Sequence, residues 1–481
     1  MVRVAVCVLP ATGQAQAHGF GARYDLPIPL SLYLAGAGLT VVLSFAMLGM
    51  FMRSAPASDE YWRINLGHTA FGRLIGAPVV LLASRTLAIA LFLLVVAAGL
   101  FGIQSPLKNI APIMVWAIWW VGMAYISALL GNVWALVNPL DTLFVCAETV
   151  YARIRPRRQL ALGLRYPDAF GAWPAVVLFL AFVWMELVWQ HSDSPAHLAT
   201  AMLAYSALTW LGMLLFGRAQ WLCRGEVFTL VFGLLARFAP IEVRDSSAGG
   251  RAFNLRPYGV GLLSREPVSN SVMVLVLAML AAVSFDGFME TPLWSAVLDY
   301  YAPPARDLTS DTDAARVWVQ TAGVIGAPLL FVAVYLVFCR MIAWCGDARV
   351  PVTRVAGLFV LTLVPIAIAY HLAHYLSFLV MAGQYLIPLA SDPFGLGWDL
   401  FGTKNHFIRI GLIDARALWY ISIGTIVVGH VVAVYLAHCI SLRAYSDRQV
   451  ALRSQLPMVA LMVCYTITSL WIIAQPIVTI R

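Results

Sequence analysis

The sequence predicts an all-α fold, a polytopic bundle of about ten transmembrane helices, and three observations carry that reading. Of the 481 residues, 61% are hydrophobic and only 11% charged, whereas roughly a quarter of an average soluble domain is charged. Several apolar runs reach or exceed the roughly 20 residues that a helix rising about 1.5 Å per residue needs to cross the hydrocarbon of a bilayer. The period-2 alternation of a membrane barrel is absent, so the spans are helices, which satisfy their backbone groups internally.

Taken in order, the chain opens with a short leader. Arg3 supplies a minimal positive region, Val4 to Leu9 a short apolar core, and Ala15-Gln16-Ala17 the small-x-small pattern of a signal peptidase site. Residues 1–17 are therefore expected to be removed, leaving 18–481 as one integral membrane domain; an uncleaved tail is the alternative. Cleavage would expose His18, whose amine and ring nitrogen are able to chelate copper, or which simply follows the cut. Spans are then expected near 28–52, 84–103, 110–131, 172–190, 197–217, 271–290, 315–339, 355–382, 417–440 and 457–477.

Two further apolar pieces, near 132–150 and 225–241, are too short or too interrupted to cross and are expected as re-entrant or interfacial helices. In the first, GNVWALVNPLD sets Asn132, Asn138 and Asp141 around Pro139. That reads as a broken helix with freed carbonyls, a device of transporters, or as a loop entering the interface. Near the end, GWDLFGTKNHFIRIGLIDAR carries Asp399, Lys404, His406 and Asp414 and reads as a solvated cap, with contact to substrate as the alternative.

The net charge of +8 is scattered over short loops, which argues against a nucleic-acid partner. With the N-terminus outside, 22 of the 31 Lys and Arg residues fall in inner loops and 8 in outer segments, Arg3 being in the leader. The positive-inside rule then places both mature termini on the periplasmic side of a bacterial inner membrane. Seven dispersed cysteines without a CxxC pair support neither a disulfide framework nor a thiolate metal site.

Ionisable groups inside spans are costly and mark candidate sites. Glu186, Asp286, His371, His374 and His430 all fall in apolar runs at depths that would let them meet. His371 and His374 are three apart and share a helix face, which Phe378, Met381 and Tyr385 continue. With His430 they form a candidate ligand set for a divalent metal ion, Asp286 or Glu186 serving as ligand or base. The plainer reading is that these groups hydrogen-bond between helices and hold the bundle together. His438, eight residues beyond His430, is displaced by about 12 Å along the axis and belongs near the inner interface.

Several stretches taken together resemble the bacterial polytopic membrane proteins known as fenitrothion hydrolases. They are HGFGARYDLPIPL at 18–30, GNVWALVNPLD at 131–141, RGEVFTLVFGLLARFAP at 224–240, FDGFMETPLW at 285–294 and YHLAHY at 370–375. The resemblance implies hydrolysis of the aryl ester P–O bond of an organophosphorus triester, releasing a nitrophenol. That chemistry asks for an activated hydroxide and charge stabilisation at phosphorus, which a metal held by His371, His374 and His430 would supply, with Asp286 and Glu186 as catalytic acids or bases. A lipophilic substrate would arrive laterally from the bilayer. Two other classes fit the same residues: a transporter or metal-handling protein, and a redox protein in which His371 or His374 pairs with His430 to hold haem b, or which binds copper. Homo- or hetero-oligomerisation is left open by the sequence.

Overall fold

The structure, a computed structural model, describes residues 24–55, 61–156, 158–245, 251–302, 312–346, 349–409 and 411–479. The leader and His18 lie outside the described residues. Ten helices among these residues are long and apolar enough to cross a membrane. They are α1 (Leu30–Phe51), α2 (Pro78–Phe101), α3 (Ile110–Leu129), α4 (Asp168–Leu187), α5 (Pro195–Phe216), α6 (Asn270–Met289), α7 (Asp313–Cys345), α8 (Val352–Ser391), α9 (Ala415–Ala444) and α10 (Arg448–Ile477). The protein is a multi-pass helical membrane protein, and each expected span has its helix. The largest differences are extensions: α10 begins nine residues early and α8 ends nine residues late, while α2 begins six residues early, where Pro78, with its pre-set φ, starts the helix.

Their packing is layered around α8. In its most apolar window 83% of residues are buried in the bundle, against 11% for α2 and 22% for α7. The exposed faces of the outer helices carry large apolar side chains such as Leu43, Met47, Leu82, Leu93, Leu329 and Val337, which only a lipid environment accommodates in such number. Two features interrupt the regular α-helical turns of the central helix. Pro365 has no N–H and crowds the carbonyl one turn back, and the chain before it tightens into a 3₁₀ turn over Val360–Leu363. A second 3₁₀ turn at Gly383–Tyr385 precedes the last helical segment, Leu386–Ser391.

Small sheets close the two ends. At one, β1 (Tyr24–Asp25) lies parallel to β5 (Val478–Thr479), pairing Tyr24 with Val478, so both described ends of the chain share a face. At the other, β2 (Ile64–Asn65), β4 (Arg251–Leu255) and β3 (Ile241–Asp245) form an antiparallel sheet in the order β2-β4-β3. Glu242 sits there between three guanidinium groups, Arg256 at 2.6 Å, Arg244 at 3.0 Å and Arg63 at 3.2 Å. Burial pushes the Arg256 pKa down and Glu242 opposes the shift; its other donors reach the carbonyls of Arg237 and Ala239.

Both short apolar pieces form helices that do not cross. Residues Trp134–Val137 make one turn, and Pro139–Ile154 starts a separate amphipathic helix. The break at Pro139 leaves the next helix capped: Asn138 accepts from the Leu140 and Asp141 amides, and Asp141 pairs with Arg218 at 2.8 Å. Val227–Ala236 is a ten-residue helix buried on most sides, and its cap is the fully buried Glu226. Glu226 accepts from the Phe228 and Thr229 amides and from the Tyr205 hydroxyl.

Candidate functional site

The site is assembled from four helices. On α8, His371, His374 and Tyr375 share one face at i, i+3 and i+4, and α6 meets that face with Asp286. Gly287 makes the approach close, since a methyl group there would stand 2.9 Å from the Tyr370 hydroxyl and 3.5 Å from the His374 ring. Asp286 Oδ2 lies 2.9 Å from His374 Nε2 and accepts a 2.5 Å hydrogen bond from the Tyr375 hydroxyl. His374 and Tyr375 are buried, while Asp286 keeps 16% of its side chain exposed.

Glu186 enters from α4, near enough to Asp286 for the two carboxylates to interact electrostatically. Its Oε1 accepts from Trp120 Nε1 at 3.0 Å. Trp120 belongs to a π-helical stretch of α3, Ile113–Gly122, whose wider turns carry Trp116, Trp119 and Trp120 into the bundle interior. Tyr125, one turn past that stretch, donates to the Leu372 carbonyl at 2.9 Å and ties α3 to α8 beside the histidines.

His371 stands between these groups. Its ring centroid is 4.7 Å from that of Tyr375, 5.7 Å from Tyr125 and 6.0 Å from Trp120. Both ring nitrogens are buried and make no hydrogen bond to a protein group. The ring borders a cavity of about 40 Å³, which Glu186, Tyr375 and Trp120 also line. A buried water needs roughly 10–15 Å³ of such volume, so there is room for two or three.

The structure brings Glu186, Asp286, His371 and His374 together, and leaves His430 apart. Gly429 packs on Ala369 and Pro365 of α8, a methyl there standing 2.4 Å from the Ala369 side chain and 2.9 Å from the Pro365 carbonyl. His430 Nδ1 donates to the Ile426 carbonyl at 2.8 Å, and its ring lies against Tyr465 at 5.9 Å. Tyr465 in turn neighbours Tyr370, and Tyr370 neighbours His374, at centroid separations of 6.4 and 6.2 Å. The expected metal set His371, His374 and His430 is therefore not assembled, and among the described residues no group of three or more His, Cys, Asp or Glu side chains is arranged to hold a metal ion.

Other expected polar groups are structural. His438 is buried near the end of α9 with Nδ1 2.9 Å from the Gln455 side-chain oxygen. Asp414 caps α9, and Asp399 accepts from the Lys404 amide. Phe378 and Met381 do not border the cavity, and Tyr385 packs instead beside Ala98, Ile110 and Leu389.

A larger apolar cavity of about 510 Å³ is lined by α6, α7, α10 and the Leu363–Ile366 part of α8, with Tyr465 on its wall. Its polar feature is the Ser284 and Tyr465 hydroxyl pair, 2.5 Å apart.

Fold and site together define a polytopic helical membrane protein with a polar cluster buried in an apolar bundle. No family model, no curated protein and no solved structure matches this chain.

Proposed function

We propose that the protein handles protons in the membrane, as the exchange centre of a transporter, with Glu186, His371, Tyr375, Asp286 and His374 as the proton-carrying groups. The observation that carries this reading is that Glu186 and His371 border one cavity of about 40 Å³ and that Tyr375, on the same wall, hydrogen-bonds to a second carboxylate, Asp286, which is paired with His374. Ionisable groups inside an apolar bundle are costly and commonly mark proton, ion or substrate pathways. The cavity is wide enough for water and far below the roughly 300–1,000 Å³ that encloses a drug-sized molecule. Its water would join Glu186 to the unpartnered nitrogens of His371. Tyr375 and Asp286 carry the hydrogen-bonded path on to His374 in steps of 2.5 and 2.9 Å. The excess of basic residues in the loops opposite β1 and β5 supports a bacterial inner membrane location with both ends periplasmic.

Reconstituted protein should dissipate an imposed pH gradient across vesicles loaded with a pH-sensitive dye. Glu186→Gln and Asp286→Asn should each lower that flux at least tenfold while the protein stays inserted; unchanged flux in both would overturn the reading.

A second reading is favoured by the 510 Å³ cavity. Its size and apolar lining suit a lipophilic aryl phosphotriester entering from the bilayer, as the sequence resemblance implies. His374, oriented by Asp286, would be the base that activates water, and because its ring does not line the cavity the triester would have to move from the cavity past Tyr465 and Tyr370 to meet it. Release of nitrophenolate from a nitrophenyl phosphotriester, lost in His374→Ala, is the expected result; no release by the inserted wild-type protein removes this alternative.

A further inference from the structure

The cavity of about 510 Å³ bounded by α6, α7, α8 and α10 is several times the roughly 150 Å³ that encloses a benzene ring. Its wall is rich in aromatic side chains: Phe285, Phe288, Phe331, Tyr335 and Tyr465. Two glycines of α7 shape it. At Gly323 an added methyl would stand 2.2 Å from the Phe285 ring, so the missing side chain is what admits that ring. At Gly326 a methyl would meet nothing within 4 Å, because the position faces open space. Leu330 and Val334 of α7 line the cavity and are also exposed on the outside of the bundle, as are Cys464 and Thr468 of α10. The mouth therefore opens sideways, between α7 and α10, to the hydrocarbon of the bilayer.

The hydroxyl groups on this wall are arranged as acceptors. Ser284 has a single proton and gives it to the Leu280 carbonyl at 2.6 Å, so Tyr465 is the donor in the 2.5 Å pair with Ser284. The Tyr465 oxygen keeps lone pairs to which no described group donates. Thr468 gives its proton to the Cys464 carbonyl at 2.9 Å, and Tyr335 gives its own to the Ala356 carbonyl at 2.8 Å. No hydroxyl proton on the wall is left to offer a ligand.

We infer that this cavity binds a lipophilic phenol, an aromatic ring that carries a hydroxyl group and an apolar chain and enters from the bilayer. Its O–H donates to the Tyr465 oxygen, its ring packs offset or edge-on against the phenylalanines, and its chain lies toward the mouth. The hydrocarbon core offers a phenolic proton no acceptor, whereas this wall does. An aliphatic alcohol supplies the proton without the ring, and an aryl ether or triester supplies the ring without the proton. The inference concerns binding alone and rests on neither reading of the polar cluster.

The test uses the full-length protein in phosphatidylcholine nanodiscs, photolabelled with an alkylphenol that carries a diazirine in its chain, and peptide mass spectrometry maps the labelled residues. Labels should concentrate on the cavity-lining residues of α7 and α10. As competitor, para-octylphenol should halve the labelling at about a fivefold lower bilayer concentration than para-octylanisole, in which a methyl group replaces the proton; that factor is the size of one net hydrogen bond. Dodecanol, which has the proton but no ring, should compete more weakly than the phenol. In Tyr465→Phe the phenol and the anisole should compete equally. Gly326→Leu, whose new side chain starts in open space and extends into the cavity, should lower labelling at least tenfold. Labels spread evenly over the lipid-facing helices, a wild-type protein in which the anisole or dodecanol competes as well as the phenol, a phenol preference that survives Tyr465→Phe, or undiminished labelling in Gly326→Leu would each overturn the proposal.

Discussion

Tyr375 is the residue on which the cluster turns. Its hydroxyl donates to Asp286, its ring packs edge-on against both His371 and His374, and it borders the cavity that Glu186 faces. Removing only the hydroxyl, in Tyr375→Phe, leaves packing intact and deprives Asp286 of a charge-assisted hydrogen bond, an interaction of about 1.5–3 kcal/mol. The expected outcome is a protein that inserts normally, unfolds at lower denaturant concentration and carries proton flux reduced at least tenfold. Full flux would confine Tyr375 to a structural role. The four charged or imidazole members of the cluster were legible in the sequence because ionisable residues stand out against apolar runs. Tyr375 was not singled out, although YHLAHY places it one turn from His371. Trp120 left no sequence signal, because one tryptophan among the sixteen in so aromatic a chain is unremarkable until its indole N–H is seen to meet Glu186.

At the scale of elements, the crossing of α8 and α9 decides which histidines meet. Without a hydrophobic drive between helices in lipid, close association rests on small residues that let backbones approach. Gly429 is that residue here, packed on Ala369 and the Pro365 carbonyl. Gly429→Ala would set a methyl against backbone that cannot move aside, and overpacking of this kind costs about 1–3 kcal/mol. A thermal midpoint lowered by several degrees in detergent is expected, with His430 and Tyr465 displaced; an unchanged midpoint would mean that the crossing has slack. The same contact explains why the sequence placed His430 with the pair. Counting residues along a straight helix assigns depth within its own span, but the relative height of two helices is set by which side chains interlock. Helix ends were displaced by up to nine residues, as at the start of α10, although Pro78 and the caps Asn138, Glu226 and Asp414 are local signals that mark such ends.

At the scale of the whole molecule, the two ends of the bundle differ in character. One gathers the acids and imidazoles beneath the β1 and β5 pair; the other holds the three-stranded sheet. Glu242 joins Arg63, from the connection after α1, to Arg244 and Arg256, from the connection before α6. Glu242→Ala would leave the buried Arg256 guanidinium without its carboxylate, and breaking a largely buried ion pair from one side costs about 3–5 kcal/mol. Marked loss of folded, inserted protein is expected, with partial recovery in Glu242→Ala/Arg256→Met. No recovery would indicate that Arg63 and Arg244 matter as much as Arg256.

The sequence by itself determined that this is a ten-span helical membrane protein, and which ionisable residues lie within its apolar runs. Both are local properties, readable from stretches of about 20 residues and the cost of charge in hydrocarbon. Only the tertiary structure decided that Glu186, Asp286, His371 and His374 share one cluster, that Tyr375 and Trp120 complete it, and that His430 stands outside it against Tyr465. The physical reason is that helix heights and rotations depend on interhelical packing, at Gly287 and Gly429 above all, and no single helix encodes where its neighbour will lie.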